Sequence, residues 1–130
     1  MPRNIMIVDD DPSIQETVKI ILDANGYPIS IAKSGRECID MLRDGFRGLL
    51  FMDVMMPEMD GWDTIAAIEK EDLLEGNIIC MLTAVNDPGP KMESIIECVI
   101  EYVRKPFTSE ELLETVREYL PYVEEVQGAT

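Results

Sequence analysis

The chain contains no histidine, which excludes both a Ser-His-Asp triad and histidine-kinase chemistry within it. Cations are scarce too: 11 Lys and Arg stand against 26 Asp and Glu, a formal charge of −15. Such a surface repels phosphate backbones and anionic lipid, so neither nucleic acid nor a membrane is expected as a direct partner. No apolar run approaches the roughly 20 residues that span a bilayer. The apolar part of MPRNIMIVDDD is also too short for a signal peptide. The three cysteines, Cys38, Cys80 and Cys98, include no close pair. Cys80 in IICML and Cys98 in IIECVI read as small core hydrophobes, and an odd count fits a reducing compartment. The expectation is a soluble, cytoplasmic protein.

What is present is enough for one domain: 130 residues, 46% of them hydrophobic. Five apolar runs, NIMIV, YPISIA, GLLFM, NIICMLT and VIEYV, alternate with helical patterns from end to end. Three of these runs are nearly continuous, as in strands covered on both faces of a parallel sheet. Asp11 before Pro12 reads as a helix N-cap with proline at the first helical position. Ile14, Val18, Ile21 and Leu22 then form one buried stripe, and Gly26 stops the helix. Ser34 with Glu37, and Thr108 with Glu111, match the capping box. Five strand–helix units without a linker or repeat predict a doubly wound α/β sheet with right-handed crossovers. Functional groups in such sheets collect at the carboxyl ends of the strands.

There the sequence LLFMDVMMPEMDGWD poses a question, because Asp53 ends an apolar strand. An unpaired carboxylate in an apolar interior costs several kcal/mol, so Asp53 must emerge at the strand end or meet a cation. The first strand ends in Asp9, Asp10 and Asp11, the fourth in Thr83, and the fifth, after a short extension, in Lys105-Pro106. Clustered carboxylates repel one another unless something cationic joins them. All-oxygen ligation with open positions suits Mg²⁺, or Mn²⁺ in its place. Carboxylate nucleophile, metal, ammonium and hydroxyl together outline a site for a phosphoryl group.

Four stretches, IVDDDPSI (7–14), MDVMMPEMDGWD (52–63), MLTA (81–84) and YVRKPF (102–107), occur in order on five βα units. In this respect the chain resembles the receiver domains of two-component response regulators over residues 4 to 120, specifically the single-domain chemotaxis type. The resemblance implies a flavodoxin-like five-stranded parallel sheet in the order 2-1-3-4-5 with five helices. It implies that Asp53 is the phosphoacceptor, served by a histidine kinase or phosphotransfer protein. Asp10, Asp53 and the Met55 carbonyl would hold Mg²⁺, with Asp9 acting through a metal-bound water. Thr83, the Ala84 N–H and Lys105 would contact the phosphoryl oxygens. The Lys105–Pro106 bond would be cis, and Tyr102 would report phosphorylation through its rotamer. The readout face would be the fourth helix, fifth strand and fifth helix.

Several residues have plainer readings. Asp11 is a cap, Asp60-Gly61 a turn, and Met55 and Met56 gap fillers on a loop. Tyr102 could equally be a half-buried core aromatic. Glu110, Glu111, Glu114 and Glu118 form a solvated face near a helix N-terminus, where the macrodipole favours them. Where receivers commonly carry a Gly-Ala pair before the fifth strand, this chain has Cys98 and Val99. The segment NDPGPKMESIIE leaves only a short fourth helix from near Pro90, and residues 84–96 are expected to be mobile or displaced. Met55 and Val85 flank the path of an attacking water and are both apolar, which predicts slow loss of a phosphoryl group.

Alternatives are weaker. An aspartate-nucleophile phosphatase or phosphotransferase usually places a general acid two residues after the nucleophile, where this chain has Met55. The chain is therefore not expected to turn over as an enzyme. A flavodoxin-type electron carrier would need a Ser/Thr/Gly-rich phosphate loop where DDDPSI stands. There is no P-loop, and Asp9–Asp11 lacks the alternation of an EF-hand loop. A degenerate receiver that is never phosphorylated is the remaining reading. The domain is expected over residues 1–121, followed by a short acidic tail, 122–130, too short for an output domain. A downstream protein target is then the expected partner; the other reading is a receiver cut from a longer protein, such as a hybrid kinase.

Overall fold

The computed structural model describes residues 4–83 and 99–128, with side chains through residue 123. Strands and helices follow in the order β1 (Ile5–Val8), α1 (Pro12–Ala24), β2 (Ser30–Ala32), α2 (Gly35–Arg43), β3 (Leu49–Asp53) and α3 (Gly61–Lys70). Then come β4 (Ile78–Thr83), β5 (Val99–Arg104) and α4 (Ser109–Gly128). The five strands form one parallel sheet in the order β2-β1-β3-β4-β5. Four helices, not the expected five, are present among the described residues. The helix expected from near Pro90, the expected mobility of residues 84–96, and the positions Ala84, Val85 and Cys98 all lie outside them.

The two-residue period of the strands builds two cores. Ile5, Ile7, Leu49, Phe51, Cys80 and Leu82 pack under α1 and α4, against Val18, Leu22, Leu112 and Val116. Met6, Val8, Leu50, Met52, Ile79 and Met81 pack under α2 and α3, against Cys38, Leu42, Ile65 and Ile68. With both faces covered, β1 and β3 are buried at every residue, which is why they read as unbroken apolar runs. Each such aliphatic side chain contributes about 2 kcal/mol by leaving water. The edge strand β5 keeps only Val103 buried. Cys38 and Cys80 lie in opposite cores, and burial pushes both thiols up to about 12, so they behave as hydrophobes rather than nucleophiles.

Local chemistry sets the helix ends. The Asp11 carboxylate accepts the Ser13 N–H at 2.8 Å, and the Ser34 hydroxyl accepts the Glu37 N–H at 3.1 Å. Thr108 and Glu111 close a reciprocal capping box at the start of α4. At Gly26 the chain takes φ +83°, a conformation that favours glycine. Tyr27 N–H then returns to Leu22 O at 2.8 Å, and Pro28 has no N–H to give a ladder, so β2 begins at Ser30 rather than at Tyr27. Helix α4 continues through Pro121 to Gly128. An interior proline costs a helix about 3 kcal/mol. Here Leu120 and Val123 on either side of it are buried in the α1–α4 core, which offsets the loss.

Candidate functional site

Strands β1 and β3 are neighbours at the centre of the sheet, with Val8 aligned to Met52, so the residues that follow come together at one edge. Asp9 is fully buried and every part of it is held. Its N–H donates to Ala32 O at 3.1 Å. Its Oδ1 accepts the Asp11 N–H at 2.9 Å and its Oδ2 accepts Lys105 Nζ at 2.9 Å. Its carbonyl accepts Gln15 Nε2 at 2.7 Å. Asp53, the last residue of β3, is 7% exposed. Its Oδ1 accepts Lys105 Nζ at 3.1 Å and, more loosely, the Met55 N–H at 3.4 Å. Asp10 projects into solvent. The three aspartates each bring a carboxylate oxygen within 4.8 Å of the others. Asp9–Asp11, Pro12, Asp53, Met55 and Lys105 line a shallow cavity of about 510 Å³.

The electrostatics of this edge are unbalanced. Burial, then the charge of Asp9, pushes the Asp53 carboxyl above its ordinary value, and Lys105 and the Met55 N–H only partly oppose them. Burial alone would lower the Lys105 ammonium. Its hydrogen bonds and charge contacts with Asp9 and Asp53 outweigh that, and its pKa rises. One ammonium thus serves two carboxylates, with Asp10 alongside. An all-oxygen donor set with one exposed member, facing an open cavity, fits a hard divalent cation such as Mg²⁺ that keeps part of its water.

The remaining residues singled out by sequence are placed as follows. Thr83 ends β4 opposite Arg104, and its carbonyl accepts the Lys105 N–H at 2.8 Å. The Lys105–Pro106 peptide is cis. Met55 is 68% exposed on the cavity rim. Tyr102 is 38% exposed on β5, its ring centroid 6.5 Å from that of the buried Trp62 at the start of α3. Desolvation raises its phenol pKa.

The sequence reading missed two contributors. Gln15 sits four residues after the α1 cap, on the turn facing the Asp9 carbonyl, but a lone glutamine carries no signal before the turn is seen. Asp60-Gly61 reads as a turn leading into the third helix, and Asp60 is also that helix's N-cap, accepting the Asp63 N–H at 2.8 Å while the Asp63 carboxylate accepts the Asp60 N–H at 3.3 Å. Gly61 N–H donates to Val54 O at 2.9 Å, drawing the helix start against the end of β3. A Cβ on Gly61 would lie 2.5 Å from Asp53 O and 2.8 Å from Met81 Cε. Gly61→Ala is therefore expected to destabilise the fold by about 2 kcal/mol, in the range for overpacking a close contact. Urea unfolding measures it, and an unchanged midpoint would contradict it.

A sequence model of the response regulator receiver domain matches residues 5–117. The chain belongs to this family. It is a receiver domain of two-component signalling, with the parallel sheet order its resemblance implied. A curated relative, response regulator MprA of Mycolicibacterium vanbaalenii, is 33% identical over 122 residues, covering 92% of this chain and 51% of MprA. The receiver thus spans about half the length of that relative. Protein PilG of Pseudomonas aeruginosa is 28% identical over 117 residues, covering 90% of this chain and 87% of PilG. Among solved structures, a CheY-like receiver domain protein from Methanospirillum hungatei superposes with a TM-score of 0.88 at 46% identity, covering 93% of this chain and 96% of that one. The receiver domain of a signal transduction histidine kinase from Syntrophus aciditrophicus does so with 0.77 at 31% identity, covering 92% and 90%. No helix among the described residues is long and apolar enough to cross a membrane.

Proposed function

We propose that Asp53 accepts a phosphoryl group from a phosphohistidine on a partner kinase or phosphotransfer protein, and that the resulting charge resets a protein-binding surface. The observation that carries this reading is Lys105 Nζ held between Asp9 and Asp53 at the mouth of an open cavity. In the transfer, an Asp53 carboxylate oxygen bonds to phosphorus, the phosphorus–nitrogen bond breaks, and the electron pair leaves with the partner's imidazole. Lys105 neutralises the equatorial oxygens, and the Thr83 hydroxyl donates to them. Mg²⁺ held by Asp10, Asp53 and the Met55 carbonyl, with Asp9 engaged through water, would screen the charge that gathers there. Gln15 and the Asp11 N–H keep Asp9 fixed so that Lys105 stays aimed.

Phosphorylation can shift the domain between two states only by contacting them differently, and Thr83 and Lys105 are the groups that do so. Tyr102, half-exposed beside Trp62, is the reporter of the shift. The site is a phosphoacceptor rather than a turnover enzyme, because Met55 stands where a general acid would be needed. The output is a protein contact. Incubation with a small acyl phosphate tests the reading: one phosphoryl adduct should form with Mg²⁺ and fail to accumulate without it.

The apolar side chain of Met55 leaves an attacking water without a partner. The adduct is expected to outlive that of Met55→Asn by roughly fivefold, about the worth of one net hydrogen bond. Following the adduct by mass after removing the phosphodonor measures this, and equal lifetimes would contradict it.

A further inference from the structure

We propose that Met55 is an oxidation site whose sulfoxide shortens the life of the aspartyl phosphate, coupling the receiver to peroxide. The inference rests on the phosphoacceptor reading above. Among the described residues, methionines divide sharply by access. Met6, Met52 and Met81 are fully buried in the α2–α3 core, Met56 is buried, and Met41 and Met59 are partly covered. Met55 alone of these is more than two-thirds exposed, and it lines the cavity that holds Asp9, Asp10, Asp53 and Lys105. Among the described residues, its thioether is therefore the one that is both open to dissolved oxidant and on the cavity of the reacting groups.

The chemistry is a two-electron oxygen transfer. The sulfur lone pair attacks one oxygen of hydrogen peroxide, the O–O bond breaks, and the proton on the transferred oxygen passes to the departing hydroxide to give water. Sulfur gains one oxygen and is oxidised by two electrons as the peroxide is reduced. An apolar thioether becomes a polar sulfoxide whose oxygen accepts hydrogen bonds. On a side chain anchored two residues from Asp53, that oxygen can hold the water that an apolar Met55 leaves unoriented. Oxidised receiver then behaves as Met55→Asn does. The change is reversible by methionine sulfoxide reductase.

The experiment treats the full chain with dilute hydrogen peroxide, resolves oxygen uptake by peptide mass, and then measures adduct lifetime with an acyl phosphate and Mg²⁺. Expected are uptake at Met55 ahead of Met6, Met41, Met52, Met56, Met59 and Met81, and a lifetime shortened roughly fivefold, about one net hydrogen bond. Reductase treatment should restore the lifetime, and peroxide should leave the lifetime of Met55→Leu where it stood before treatment. Slower uptake at Met55 than at a buried methionine overturns the site. Uptake at Met55 with an unchanged or longer lifetime overturns the coupling. Failure of untreated protein to form any adduct overturns the phosphoacceptor reading and the coupling with it, while the peptide masses still decide the oxidation site.

Discussion

Lys105→Met should destabilise the metal-free protein by about 3 kcal/mol, a fall in Tm of roughly 10 °C for a domain of this size. The side chain is nearly isosteric, so packing is retained and the charge is what is lost. Lys105 Nζ lies 2.9 Å from a fully buried Asp9 oxygen and 3.1 Å from Asp53. Without it, two carboxylates at the ends of adjacent strands face each other with no cation between them. The lower end of the cost for stranding a buried charge applies, because the cavity admits water. Lys105 also has a raised folded pKa, so the pair's stabilisation is complete below the ordinary lysine value and is lost as pH rises through the folded one. It is therefore fully present at neutral pH. Mg²⁺ should recover part of the loss by replacing the missing positive charge. Thermal unfolding with and without Mg²⁺ checks both points. An unchanged Tm in the metal-free variant would mean the bridge is worth nothing.

Asp53→Asn should act in the opposite direction and stabilise the metal-free protein by about 1 kcal/mol, or several degrees in Tm. Asp53 is held at the site for its charge, against the preference of its surroundings. Burial and the charge of Asp9 raise its folded pKa above 3.8. Ionisation therefore favours the unfolded chain. The stability this carboxyl contributes is complete below 3.8 and is lost as pH rises through the raised folded value. The gain from Asp53→Asn should accordingly appear above that window and vanish below it, while Lys105 keeps its bond to Asp9 in the variant. Unfolding midpoints of the two proteins from pH 3 to pH 8 measure the difference. A variant less stable than the wild type at neutral pH would contradict the sign.

The sheet and its acidic edge were legible because their signals are local and redundant. Continuous apolar runs at β1, β3 and β4 can be satisfied only under two helical layers, and each carries a polar residue at its end. Asp9, Asp10, Asp53, Thr83 and Lys105 could thus be placed on one edge from strand ends alone. What escaped depends on geometry the sequence does not encode locally. Gln15 matters only because the first turn of α1 aims it at the Asp9 carbonyl. Asp60 looked like a turn because Asp-Gly is a turn signal. Its pairing with Asp63 shows that the same residues serve as a helix start when the following stretch packs, as Trp62 and Ile65 do. Helix α4 likewise runs on through Pro121, a residue that disfavours a helix interior, because Val123 beyond it is buried.

Intact mass after exposure to a small acyl phosphate, with and without Mg²⁺, on the wild type and on Asp53→Asn, tests the central claim most directly. The expected result is a single phosphoryl adduct on the wild type that requires Mg²⁺ and does not form on Asp53→Asn. The absence of an adduct under every condition would contradict it and leave a degenerate receiver, a binding module set by something other than phosphate. An adduct that persists in Asp53→Asn would place the nucleophile elsewhere.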